Sequence, residues 1–252
     1  MNENLQPDGL DGFKLSSKLN IDYSRGMLNQ LLSLNYTKDE YVLFINEPKH
    51  MINPVRDIIL FDTPFLEFFS KTQWYTIPIV WMPIVFYHLV QTEVGILATL
   101  GCVIMGLLFW TLSEYLLHRF FFHGEEIWLP ADNKIVFVFH FLVHGIHHAF
   151  PQDRYRLVFP ILPGILLLTG LYLPILNIIT PLWMCAGVKA GVALGYILYD
   201  MIHYFIHHSS PKRGYFKFIK MYHMQHHYKN GELGYGVSSK FWDIIFRTEL
   251  KF

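Results

Sequence analysis

Residues 96–123 read ILATLGCVIMGLLFWTLSEYLLHRFFFH, an apolar run from Ile96 to about Leu117 that ends in two histidines spaced His118-x4-His123. Roughly 20 apolar residues cross the hydrocarbon core of a bilayer, so the run predicts a membrane-spanning helix with imidazoles at its end. Working outward, WYTIPIVWMPIVFYHLV at 74–90 carries no formal charge and joins that run through the short QTEVG, which makes the pair a helical hairpin. Pro78 and Pro83 would break a helix in water but are tolerated in a span whose freed carbonyls are satisfied by neighbouring helices. Two further apolar runs, 157–179 and 182–199, turn near Thr180 and predict a second hairpin. The fold class expected is all-α and integral to a membrane, with four transmembrane helices in two hairpins.

Composition agrees. The 252 residues are 52% hydrophobic and 17% aromatic with zero formal net charge, a profile that favours lipid over water. Cys102 and Cys185 both lie inside apolar runs without partner spacing, which argues against a disulfide framework and a thiolate zinc site. The opening MNENLQPDGLDGF is polar and acidic, unlike a cleaved secretory signal. Two hairpins place the arm 1–73, the segment 118–156 and the tail 200–252 on one side of the membrane. Within the arm, 26–34 and 39–44 suggest brief amphipathic helices, and the whole reads as a lid or membrane-surface collar. Every Lys and Arg except Lys189 falls in those three segments, so the positive-inside tendency makes that side cytoplasmic. No basic patch of the nucleic-acid-binding kind occurs.

Ten of the 14 histidines fall in four motifs at or just beyond the cytoplasmic ends of the spans: His118-x4-His123, His144-x2-His147-His148, His203-x3-His207 and His223-x2-His226-His227. Residues three and four apart share a helical face, so His144, His147 and His148 predict one imidazole patch, as do His203 with His207 and His223 with His226 and His227. His118 and His123, five apart, fall about 140° out of register, which predicts a helix end or bend between them. Imidazole suits iron, zinc and copper, and ten donors are too many for one ion but suitable for two. The isolated His50, His88, His140 and His208 read as surface or satisfied core residues, His140 being the hardest to place because it stands four before His144. Metal-bound histidine normally passes its second N–H to a carboxylate or carbonyl, and Glu114, four before His118, and Asp200, three before His203, are the candidates for that role.

Three stretches, EYLLHRFFFH, HGIHHAFPQDRYRLVFP, and GYILYDMIHYFIHH followed by YHMQHHYKNGELGYGVSSKFWDIIF, resemble the fatty acid 2-hydroxylases of sphingolipid metabolism, over roughly residues 25 to 250. The resemblance implies four transmembrane helices under a cytosolic helical cap, an N-terminal cytosolic arm at 1–73 and a membrane fatty acid hydroxylase domain at 74–252. It implies two metal ions held by His118, His123, His144, His147, His148, His203, His207, His223, His226 and His227. Iron is expected for the chemistry because zinc has no redox chemistry, although zinc can occupy the same sites. The implied activity is oxygen-dependent hydroxylation at C2 of a long fatty-acyl chain, of ceramide or a related sphingolipid, in the endoplasmic reticulum membrane. Many relatives carry a fused haem domain of the cytochrome b5 type; this sequence shows no His-Pro-Gly-Gly motif, so no haem is expected in the chain and electrons are expected from a separate donor such as cytochrome b5 with its reductase. The rival readings are an acyl desaturase or sterol oxidase on the same scaffold, a metal transporter, and an inactive lipid-binding relative. Transport would need polar groups near the bilayer midplane, where the runs are nearly free of them.

Overall fold

The computed structural model describes residues 19–49 and 58–251, so the opening MNENLQPDGLDGF and His50 lie outside the described residues. Among these, every regular element is helical: α1 Met27–Ser33, α2 Lys38–Ile45, α3 Pro64–Phe69, α4 Thr76–Val90, α5 Ile96–Leu116, α6 Lys134–His140, α7 Ile146–Ala149, α8 Ile161–Leu167, α9 Leu173–Ile179, α10 Leu182–His208, α11 Tyr215–Tyr228 and α12 Phe241–Phe246. Three π-helical stretches interrupt or extend this series, Leu117–Phe122 continuing α5, Phe141–Gly145 joining α6 to α7, and Leu168–Tyr172 joining α8 to α9.

Among the described residues, three helices are long and apolar enough to cross a membrane: Ile96–Phe122, Ile161–Ile179 and Leu182–His208. Their outward faces are apolar, with Leu97, Ile178 and Leu182 more than 80% exposed, which suits a hydrocarbon surrounding. Helix α4, at 15 residues, spans about 22 Å at 1.5 Å per residue. The third apolar run was expected to begin at Leu157, but its helix starts at Ile161. Pro160 is extended and cannot donate into a helix, and Arg156 is held outside it by Glu67 and by Asp153 at 2.8 Å.

Helices α5 and α10 carry the architecture. A Cβ on Gly191 would sit 2.2 Å from the Val103 carbonyl oxygen, one on Gly106 2.2 Å from that of Val188, and one on Gly187 2.6 Å from the Cys102 Cβ. The two backbones are therefore in direct contact through small residues, the device that holds helices together where lipid supplies no hydrophobic drive. Contacts step four residues at a time on both helices, Cys102 to Gly187, Gly106 to Gly191 and Trp110 to Gly195. The helices are thus parallel with a constant offset of 85 residues (187 minus 102), and the same offset brings His118 level with His203. At 27 residues α10 is about 40 Å long, about two turns more than a bilayer core of about 30 Å needs, and His203 and His207 lie in its last two turns.

The arm packs where it can cover those histidines. Thr37 and Glu40 form a reciprocal capping box that starts α2. From α1 and α2, Met27, Leu31, Tyr41 and Phe44 bury against Phe137, Phe141 and Ala149 of the histidine-bearing segment. The short helices expected at 26–34 and 39–44 are present as α1 and α2. A separate core of Ile77, Trp81, Val188 and Tyr196 fills the span bundle.

Candidate metal centre

The ten motif histidines converge on two groups. His118, His123, His144, His148 and His226 form the first; His147, His203, His207, His223 and His227 form the second, and in each group one nitrogen from every ring lies within 4.8 Å of the others. The groups abut, with the His148 and His227 rings 4.3 Å apart. Two local features produce this arrangement. The His123 amide donates to the His118 carbonyl at 3.0 Å, an i to i+5 bond that belongs to a π-turn and widens the helix so that the two rings come to 5.0 Å. The bend expected between them is this π-turn. The second feature corrects the single-patch reading of the two HxxHH motifs. Each motif divides between the groups: His144 and His148, four apart, face the first and His147 the second, while His223 and His227 face the second and His226 the first. Residues i and i+4 share a face, and the residue between them is rotated by about 100° toward the other group.

The donor chemistry fits divalent cations. His118 Nδ1 donates to the Tyr235 carbonyl at 2.5 Å and His226 Nδ1 to the Leu233 carbonyl at 2.8 Å. A carbonyl only accepts, so those nitrogens hold the hydrogens and both Nε2 atoms are bare lone pairs. Yet the His118 Nε2 is buried without a partner, and the His226 Nε2 lies 3.0 Å from the His123 Nε2. In the second group, His203 Nε2 is 3.0 Å from both His147 Nε2 and His223 Nε2, while both nitrogens of His207 have no partner. Lone pairs crowded to this degree in a dry interior are favourable when they share a cation. Burial and the neighbouring rings hold His123, His144, His147, His148, His223 and His227 well below the usual imidazole range, and burial pushes His226 down to about 4. These rings are neutral, the form that ligates.

That neutrality sets a pH dependence. Each such ring takes up a proton when the chain unfolds at any pH between its lowered folded value and about 6.5, so acidification through the window from about 6.5 to 4 favours the unfolded chain. Thermal unfolding scans of the purified protein are expected to show a falling midpoint from pH 7.5 to 5, together with loss of bound metal.

The outer residues differ from expectation in detail. Glu114 does not bond the His118 ring; it accepts from the amides of Val237 at 3.0 Å and Ser238 at 2.7 Å and from the Ser238 hydroxyl at 2.7 Å. Asp243 accepts from the amides of Tyr235 and Gly236 of the same loop. The two carboxylates thus hold the loop whose Tyr235 carbonyl receives the His118 hydrogen, and Glu114 acts one bond further out than its position suggested. Replacing Glu114 with Ala leaves the buried Val237 amide unpaired at about 1–3 kcal/mol and frees the half-buried Ser238, and is expected to loosen metal in the first group, read as metal per chain after dialysis. Asp200 is buried beside Tyr196 and the Phe159 backbone, three residues before His203, with no histidine among its hydrogen-bond partners. His140 is no ligand: its Nε2 donates to the Phe122 carbonyl at 2.8 Å and its Nδ1 lies 2.8 Å from the Tyr41 hydroxyl. His208 packs on Tyr204, and His88 lies buried near the far turn; neither joins a group. Sequence reasoning missed Glu125, buried beside His123, because its neighbour Glu126 is chemically identical and only the fold separates a buried carboxylate from an exposed one.

The family model for fatty acid hydroxylase matches residues 103–248, which include all ten histidines. The chain belongs to the fatty acid hydroxylase family. Among relatives of this hydroxylase-family chain, the ceramide very long chain fatty acid hydroxylase SCS7 of Saccharomyces cerevisiae is 40% identical over 232 residues, covering 91% of this chain and 59% of the yeast protein. The fatty acid 2-hydroxylase of Mus musculus is 36% identical over 90% of this chain and 64% of its own length. The chain therefore spans about six tenths of the length of these relatives. The dihydroceramide fatty acyl 2-hydroxylase FAH2 of Arabidopsis thaliana is 35% identical over 93% of this chain and 95% of its own length. A solved structure described as full-length scs7p, with only the hydroxylase domain visible, superposes with a TM-score of 0.86 at 39% identity, covering 92% of this chain and 86% of that one.

Proposed function

We propose that the chain is a membrane-bound, oxygen-dependent hydroxylase that oxidises C2 of a long fatty-acyl chain, of ceramide or a related sphingolipid, at two metal ions held one in each histidine group. The observation that carries this reading is ten buried imidazoles gathered into two abutting groups of five at one end of the spans. The mouse and plant relatives, both 2-hydroxylases, support C2, and the yeast and plant relatives, hydroxylases of ceramide and dihydroceramide acyl chains, support a sphingolipid acyl chain. Bound in the two groups, iron would supply the redox chemistry that oxidation of an unactivated C–H bond by dioxygen demands, and zinc would fill the same positions without it.

The chain's own residues would do the rest. Imidazoles anchored through Nδ1 to Tyr235 and Leu233 present their Nε2 atoms without reorganisation. The arm, packed through Phe44 and Tyr41 onto the histidine-bearing segment, excludes water from above. The apolar helices below admit a lipid substrate from the bilayer. In this reading α4 is the fourth span, the two hairpins place arm, histidine segments and tail together as a cytosolic cap on the endoplasmic reticulum, and electrons come from a separate carrier such as cytochrome b5 with its reductase.

Lipid mass spectrometry of cells with and without the chain, paired with metal analysis of the purified protein, tests this. Accumulation of 2-hydroxy acyl sphingolipid with two metal ions per chain is expected. A new double bond or an oxidised sterol in place of the 2-hydroxy product would overturn it.

A further inference from the structure

Resting on that di-metal reading, we propose that Glu125 is a positioning residue for the first histidine group, fixing the His123 ring from behind and supplying negative charge to the cation the group would hold. Its carboxylate Oε1 lies 3.7 Å from His123 Nδ1, the nitrogen turned away from the group, and 3.9 Å from His140 Nε2. The other nitrogen of His123 is the one that meets His144 Nε2 at 3.3 Å and His226 Nε2 at 3.0 Å. The order is carboxylate, imidazole, metal position; at 3.7 Å the carboxylate stands beyond hydrogen-bond distance, so it acts on the ring through its charge, which favours the hydrogen on Nδ1 and leaves Nε2 to ligate. His118 and His226 have backbone carbonyls behind them; His123 has Glu125.

Two features frame the carboxylate there. Gly124 makes the turn that follows His123, and a Cβ on it would collide with the Trp128 indole, whose Nε1 donates to the Phe121 carbonyl at 3.1 Å. His140, locked between Phe122 and Tyr41, closes the other side. The next residue, Glu126, is exposed and lies 3.8 Å from Lys38, so the turn sorts two identical side chains into one buried and one in solvent. Charge gives the burial a purpose. Five neutral imidazoles around a divalent ion leave its charge uncompensated, and a carboxylate within 4 Å of one ligand offsets part of it in a medium that screens weakly.

The test is metal stoichiometry and affinity, with the second group as internal control. Wild type, Glu125→Gln, Glu125→Asp and the exposed Glu126→Gln are purified, stripped, and titrated with Co(II) or Zn(II). Glu125→Gln is expected to weaken one of the two binding events by about 10–100-fold and leave the other unchanged, with Glu125→Asp intermediate and Glu126→Gln like wild type. A merely structural loss would weaken both events equally or lower the unfolding midpoint of the stripped protein, and either outcome overturns the proposal, as does unchanged two-ion binding in Glu125→Gln. Wild type that binds no metal pair would instead sink the di-metal reading itself.

Discussion

His144→Ala and His226→Ala are each expected to abolish formation of 2-hydroxy acyl product while the protein still inserts and folds. Both rings belong to the first group, and each meets His123 Nε2 within 3.3 Å. Outer partners of metal ligands cost about 10–100-fold when removed, so a direct ligand must cost at least as much, and turnover should drop by more than about 100-fold. The second group keeps all five rings, so purified variants are expected to hold close to one ion instead of two. Lipid mass spectrometry and elemental analysis on the same preparation check both numbers. Normal turnover in both variants would remove these rings from the ligand set.

Gly191→Ala acts about three helical turns from His203, the nearest motif histidine on α10, yet should be among the most damaging single changes. The added Cβ would meet the Val103 carbonyl oxygen at 2.2 Å and the Gly106 Cα at 2.9 Å. Both obstacles are backbone and cannot rotate aside, so α5 and α10 must separate or slip. Overpacking of this kind costs about 1–3 kcal/mol, and Gly191→Leu more. Because His118 and His203 ride on those two helices at the same level, separation also pulls the two groups apart. A lowered unfolding midpoint in detergent together with reduced metal content is expected. Gly101, on the facing helix α5, has nothing within 4 Å of its would-be Cβ, and Gly101→Ala should lower neither quantity. Equal behaviour of the two variants would show that the close approach does not set the site.

Much of this was legible in the linear chain because it depends on periodicity and composition. Apolar runs of about 20 residues announce spans, and histidines three and four apart announce shared faces. The short helices of the arm were visible in their amphipathic pattern, and Thr37 with Glu40 caps the second. Other features depend on partners distant in sequence. Glu114 looked like the neighbour of His118, four residues away on one helix, but it bonds Val237 and Ser238 more than 120 residues on. His140 was the hardest residue to place, standing four before His144, and only the fold shows it to be a satisfied core histidine: a π-turn at Phe141–Gly145 intervenes and both its nitrogens go to Tyr41 and Phe122.

The sequence by itself determined that this is a helical membrane chain whose histidines sit at the ends of its spans, since hydropathy and spacing are local properties. Tertiary structure alone decided how those histidines divide. The π-turn at Leu117–Phe122, the glycine contact that sets α10 against α5, and the 100° between adjacent helical positions sort ten rings into two groups of five. Backbone carbonyls and one of two adjacent glutamates then stand behind the rings, and no pattern of side-chain types encodes a carbonyl or tells a buried carboxylate from its exposed neighbour.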